Sequence, residues 1–153
     1  MNTRRLERLE RTVGQFERRL NLDPNAPRSI RRADGALDYN DRNGIWEYRQ
    51  KLYGDRAFGG TVVVSENGVA VWMVSVFGGW ARGVDLNEAG DALDKALEPG
   101  IDRVPFRGPK HFEVDDFIYV HAWEGDMRRF AGYEELFKGG KEQYYARYAG
   151  GLI

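Results

Sequence analysis

Residues 45 to 79, IWEYRQKLYGDRAFGGTVVVSENGVAVWMVSVFGG, are answered by residues 117 to 151, FIYVHAWEGDMRRFAGYEELFKGGKEQYYARYAGG. An offset of 72 brings Phe58 onto Phe130, Gly60 onto Gly132, Gly68 onto Gly140, Trp72 onto Tyr144 and Gly78-Gly79 onto Gly150-Gly151. One residue earlier, at 71, Gly54-Asp55 falls on Gly125-Asp126. The shared order is aromatic strand, Gly-Asp turn, F-x-G strand, Gly turn, aromatic strand, Gly-Gly. Such a pattern predicts one supersecondary unit used twice.

Within each unit the side chains alternate. Trp46, Tyr48, Gln50 and Leu52 share one face of the first strand, and Phe117, Tyr119, His121 and Trp123 share the matching face of its counterpart. Asn67-Gly68 between two valine-rich runs is the strongest hairpin signal in the chain. Val62-Val63-Val64, Val69 to Val76 and Ile118, Val120, Ala122 make these strands apolar on both faces, which predicts central strands covered on both sides. Ala36 to Asn40 reads as a short strand followed by a turn at Asp41 to Gly44, and Pro27 to Ala33 as a possible short helix.

Two helices have helical apolar spacing. Leu86, Ala89, Leu93, Ala96 and Leu97 place one over 86 to 97, with Asp85 as N-cap, Glu88 three residues on as in a capping box, and Pro99-Gly100 as its stop. Leu6, Leu9, Val13, Phe16 and Leu20 form a stripe on a second, from about Thr3 to Asn21. That stripe needs a partner, either the domain's own sheet or the same helix of a second chain in a homodimer.

The run WEGDMRRFAGYEELFKGGKEQYYARYAGGLI, the element Phe106-Arg107-Gly108-Pro109, and the earlier YGDRAFGG and VWMVSVFGG resemble an uncharacterised prokaryotic domain-of-unknown-function family. The resemblance covers roughly residues 33 to 153. Members of that family occur alone or C-terminal to helix-turn-helix regulators, which implies an accessory or sensing role and assigns no catalytic residues. Residues 1 to 32 lie outside the resemblance and show no helix-turn-helix signature.

Composition narrows the classes. Without cysteine there is no disulfide framework, zinc-thiolate site or cysteine nucleophile, and the cytoplasm is the expected compartment. No apolar run reaches the ~18 residues of a membrane span. Residues 1 to 32 carry nine Arg against four acids, leaving 14 basic and 20 acidic residues elsewhere. This asymmetry reads as a solvated helix beside an acidic body, with a basic arm for nucleic acid the less favoured reading.

For chemistry, His111 and His121 sit in no metal-ligand spacing, and no metal or cofactor is expected. Glu124-Gly125-Asp126 offers two carboxylates close to His121, from which a small hydrolase-like enzyme can be imagined, but Gly54-Asp55 in the other copy assigns Gly and Asp to turn geometry. Arg107, between turn residues, suits an anion clamp or a structural salt bridge. The aromatic face (Trp46, Tyr48, Trp72, Tyr119, Trp123, Tyr144), with Gln50, His121, Arg107 and Glu124, is a candidate ligand-binding set.

The expected fold is α+β: a curved antiparallel sheet of two related three- to four-strand units packed on helix 86 to 97, with a helical extension (1 to 32) outside a single domain (33 to 153). The expected function is a non-catalytic binding module for a small apolar or aromatic ligand or a protein partner. A hydrolase-like enzyme using His121 with Glu124 or Asp126, and a nucleic-acid-associated accessory, are the alternatives. Where the copies differ, as at Gln50 and His121, the second is expected to carry any specific activity.

Overall fold

A computed structural model describes residues 1 to 153. Helix α1 (Thr3–Leu22) is followed by strands β1 (Ile30–Arg31), β2 (Leu37–Asn43), β3 (Trp46–Gly54), β4 (Ala57–Glu66) and β5 (Val69–Trp80). Helix α2 (Leu86–Leu97) and a 3-10 turn (Glu98–Gly100) lead through a loop to β6 (His111–Val114), β7 (Phe117–Asp126), β8 (Arg129–Lys138) and β9 (Lys141–Leu152). All nine strands form one open antiparallel sheet in the order β1-β2-β3-β4-β5-β9-β8-β7-β6.

That order consists of two meanders, β2 to β5 and β6 to β9, joined where β5 pairs with β9. Trp72 pairs with Leu152, Trp80 with Tyr144, and Val76 with Tyr148 at the centre. The offset of 72 carries Trp72 to Tyr144 and Trp80 to Leu152, so it exchanges the first two pairs and maps the third onto itself. The halves are therefore related by a pseudo-two-fold axis through Val76 and Tyr148. Details follow the same relation. The β4-β5 ladder shifts register between Val64 and Ser65, and the β8-β9 ladder between Leu136 and Phe137. Gly54 and Gly125 turn with φ of 92° and 90°, and the pairs Asn67-Gly68 and Gly139-Gly140 all lie in the left-handed region.

Alternation gives the sheet one covered face. Tyr48, Val62, Val64 and Trp72 form a core with Leu6, Leu9, Val13 and Phe16 of α1, while Phe117, Tyr119, Leu136 and Tyr144 form a second with Ala89, Leu93 and Leu97 of α2. Each helix thus roofs one meander on the same side. The stripe of α1 is spent inside its own chain: Leu9 and Val13 are wholly buried and Phe16 is 1% exposed. At ~1.5 to 3 kcal/mol for each large apolar side chain, this burial is a main contribution to holding α1 on the sheet. The helix accordingly shares a core with the sheet. Arg19 with Asp41 at 2.7 Å, Arg5 with Glu66, and Tyr48 with Glu17 tie α1 down further. Gly14 has a positive use, since a Cβ there would stand 2.5 Å from the carbonyl oxygen of Asp102, on the loop that runs beneath α1.

Several local expectations are corrected. Pro27 to Ala33 contains no helix; Ile30 and Arg31 pair with Asp38 and Leu37 instead, across a turn at Asp34-Gly35 where Gly35 takes φ 88°. Strand β2 continues through Asp41 because Arg19 and the Tyr39 hydroxyl satisfy that carboxylate, a tertiary contact that local composition does not reveal. Asp85 caps α2 through the N–H groups of Asn87 and Glu88, but Glu88 bonds Lys138 at 3.0 Å and does not close a capping box. The second face of the sheet has no covering layer, contrary to the expectation of double burial. Phe77 is 57% exposed and Ile118 39%. Antiparallel sheets tolerate one wet face. Phe77 rests on Tyr145 at 6.4 Å, and the Arg147 guanidinium lies 5.6 Å from the Tyr133 ring, so neighbours across the strands shield each other there.

Candidate functional site

Under the C-terminal part of α1 and the α2-β6 loop, where the meanders meet, the covered face leaves a cavity of about 210 Å³. Side chains from both halves line it: Gln50 and His121, Trp72 and Tyr144, Val76 and Tyr148, with Glu17 and Leu20 of α1 and Val104, Pro105 and Arg107 of the α2-β6 loop. Five of the ten residues singled out from sequence therefore meet here: Gln50, Trp72, Arg107, His121 and Tyr144. The other five do not. Trp46, Tyr48 and Tyr119 are packed into the core, Tyr48 and Tyr119 without exposed surface. Trp123 stacks on Phe106 at 5.1 Å, beside a separate groove, with the Lys110 ammonium 5.5 Å from its ring. Glu124 is exposed. Position 124 alternates to the wet face while 121 points to the covered one, so His121 does not join Glu124, and Asp126 is engaged with the turn at Arg128.

The polar centre is a residue that sequence reading did not single out. Glu134, 2% exposed, lies opposite His121 on β8. Its Oε2 accepts from the Tyr119 hydroxyl at 2.7 Å, and its Oε1 accepts from the Tyr144 hydroxyl at 2.8 Å and from Nη2 of Arg107 at 3.0 Å. Burial alone would raise this carboxyl's pKa. The Arg107 charge and the two tyrosine hydroxyls together outweigh that and hold it below the ordinary value. Arg107 shows the converse balance, burial disfavouring its charge and Glu134 more than restoring it. The salt-bridge reading of Arg107 is thus realised. Although protein surrounds it, 39% of the Arg107 side-chain surface stays accessible, because the residue borders both the cavity and the groove beside Trp123.

His121 is buried and held at both nitrogens. Its Nδ1 lies 3.1 Å from the Gly108 carbonyl oxygen, which can only accept, so Nδ1 carries the proton; Nε2 then accepts from the Tyr148 hydroxyl at 2.5 Å. Burial lowers its pKa, with the Gly108 bond opposing, and the ring is neutral near pH 7. Gly108 is required at this spot, since a Cβ would stand 2.0 Å from the Tyr119 hydroxyl. Across the axis, Glu17 accepts from Tyr48 at 2.6 Å; its pKa is raised by burial, with the Tyr48 bond and Arg107 opposing.

Alternation alone holds the signal for Glu134, because Phe130, Gly132, Glu134 and Leu136 share the covered face and only Glu134 is charged. The offset gives a second signal, for its counterpart is Val62. Glu17 falls between Val13 and Leu20 on the apolar stripe and is found the same way.

An open antiparallel sheet roofed on one face by two helices, with a mixed aromatic and polar cavity beneath α1 and the α2-β6 loop, defines an α+β fold with an internal cavity. Residues 50 to 153, about two thirds of the chain, match the family model Domain of unknown function (DUF5680), and the protein belongs to that family. The match takes in Gln50, Arg107, His121 and Glu134 and leaves Glu17 outside. No curated protein and no solved structure matches the chain. No helix is long and apolar enough to cross a membrane, and no cluster of His, Cys, Asp and Glu is arranged to hold a metal ion.

Proposed function

We propose that the protein is a non-catalytic binding module that holds a small, largely apolar molecule in the cavity between the two meanders, and that the meanders are copies of one unit. The observation that carries this reading is the cavity itself: it lies on the pseudo-two-fold axis, apolar walls dominate it, and Gln50, Arg107 and His121 converge on it. A hydrolase reading loses its constellation. His121 is enclosed between Gly108 and Tyr148, and Glu124 and Asp126 are at the surface, so His121 forms no acid and base pair with either of them. A nucleic-acid role would rest on the exposed arginines of α1, and Glu7 and Glu10 are interleaved with them.

A thermal-shift screen of a small-molecule library, followed by titration of intrinsic tryptophan fluorescence, tests the reading, because Trp72 lines the cavity. A ligand present at 100 times its Kd stabilises by about 2.7 kcal/mol, readily seen in Tm. Val76→Trp, which fills the cavity, abolishes the response. A ligand-free crystal structure with the cavity collapsed and its walls in contact would overturn the proposal.

A further inference from the structure

The polar groups facing the cavity are unequal in what they have left to offer. The charged and imidazole acceptors are already engaged. Glu134 receives three hydrogen bonds and has 3% of its side chain accessible; Nε2 of His121 already accepts from Tyr148; Oε1 of Glu17 accepts from Tyr48. Arg107 is not fully engaged. A guanidinium carries five N–H groups in a rigid fork. Arg107 donates one of them to Glu134, with the Tyr144 hydroxyl beside it, and no buried nitrogen in the protein is left without a partner, so its remaining N–H groups face accessible space. Burial also drives Glu17 toward its protonated form, in which it is a donor as well.

A guanidinium with uncommitted N–H groups at the wall of an otherwise mostly apolar cavity selects a ligand whose polar end accepts. We propose, building on the binding-module reading above, that the cavity takes a small monocarboxylate: its oxygens meet Arg107, and its apolar or aromatic body rests on Phe58, Trp72, Val74 and Phe130. A fork of parallel N–H groups matches a carboxylate in two bonds, and hydrogen bonds to a charged partner are about twice as strong as neutral ones. Two tyrosine hydroxyls share the Glu134 carboxylate with Arg107, so a single guanidinium N–H group is committed there.

The test uses the full chain and four probes: phenylacetate, hexanoate, phenylacetamide and 2-phenylethylamine, titrated by calorimetry and tryptophan fluorescence. Phenylacetate is expected to bind roughly 10- to 100-fold more tightly than phenylacetamide, the difference between a charged and a neutral acceptor on one guanidinium. In R107Q/E134Q, which removes both charges and keeps acceptors for the tyrosines, that ratio falls to about one. R107K, which keeps the charge and loses the fork, gives an intermediate ratio and serves if the double variant does not fold. Equal affinity for acid and amide, unchanged by these substitutions, overturns the carboxylate inference and leaves the binding cavity standing. Preference for the amine overturns it in sign. If none of the four probes binds at millimolar concentration, the inference fails with the cavity reading beneath it.

Discussion

Replacing Glu134 by Gln perturbs the most constrained polar group in the protein. The carboxylate is 2% exposed and serves Arg107, Tyr119 and Tyr144. Gln keeps one carbonyl oxygen, on which one tyrosine hydroxyl can remain, but it removes the only anion bonded to Arg107. Breaking a fully buried pair costs ~3 to 5 kcal/mol. Arg107 still has 39% of its side chain in contact with accessible space, and water there screens the stranded charge, which brings the figure to the low end at about 3 kcal/mol. Urea unfolding followed by tryptophan fluorescence should show that loss as a lower midpoint with an unchanged slope. R107Q/E134Q should then cost less than E134Q alone, because the stranded cation is gone. Acid unfolding gives an independent readout. A carboxyl held below its unfolded pKa contributes stability above about pH 4.3 and loses it as pH falls through the folded value, so this part of the acid limb should be absent in E134Q. A single variant within about 0.5 kcal/mol of wild type, or effects of the two substitutions that simply add, would refute the coupled pair.

Three further outcomes are expected. His121 has a folded pKa below its unfolded value of about 6.5, so protons bind the unfolded chain first, and stability should decline as pH falls from 7 through 6.5; His121→Asn should flatten that part of a stability-pH curve. Gly14→Ala and Gly90→Ala should differ in sign by thermal or urea unfolding: a Cβ at Gly90 meets nothing within 4 Å and gains ~1 kcal/mol of helix propensity, whereas at Gly14 it strikes the Asp102 carbonyl at 2.5 Å and costs ~1 to 3 kcal/mol. Gly78→Ala and Gly150→Ala should destabilise by similar amounts, each ~2 kcal/mol or more, since the added Cβ would meet a backbone oxygen at 2.4 or 2.2 Å and the ring of Phe58 or Phe130; a harmless substitution at one of them would contradict the pseudo-symmetry.

Much of the fold was legible because glycines and aromatic residues report backbone constraints. Gly54 and Gly125 require positive φ, and Gly78 and Gly150 accept the rings of Phe58 and Phe130, so matching residues marked matching geometry before any coordinates. Strand β6 was missed because only four residues pair and their composition, HFEV, is ordinary. The open outer face was missed because Val and Ile on both sides of a strand read alike whether a layer covers them or not. Of the candidate site, alternation found Gln50, His121, Trp72 and Tyr144. It could not say which aromatic residues border a void, since Tyr119 and Tyr144 belong to the same core and only Tyr144 reaches the cavity. Glu17 and Glu134 were legible in principle, as charges in apolar registers, and were passed over because most charges on helices and strands face water.

The axis through Val76 and Tyr148 bears on how a guest would be oriented. A cavity centred on a true two-fold axis presents identical walls to both ends of an occupant, so any asymmetric guest would lie in two opposite directions with equal ease. Two halves within one polypeptide are free to differ, and here the walls do: Val62 corresponds to Glu134, Gln50 to His121, and Val76 to Tyr148. In each pair the titratable member belongs to the second half. The chain thus has a head end and a tail end written into a frame that, by its backbone alone, would have neither.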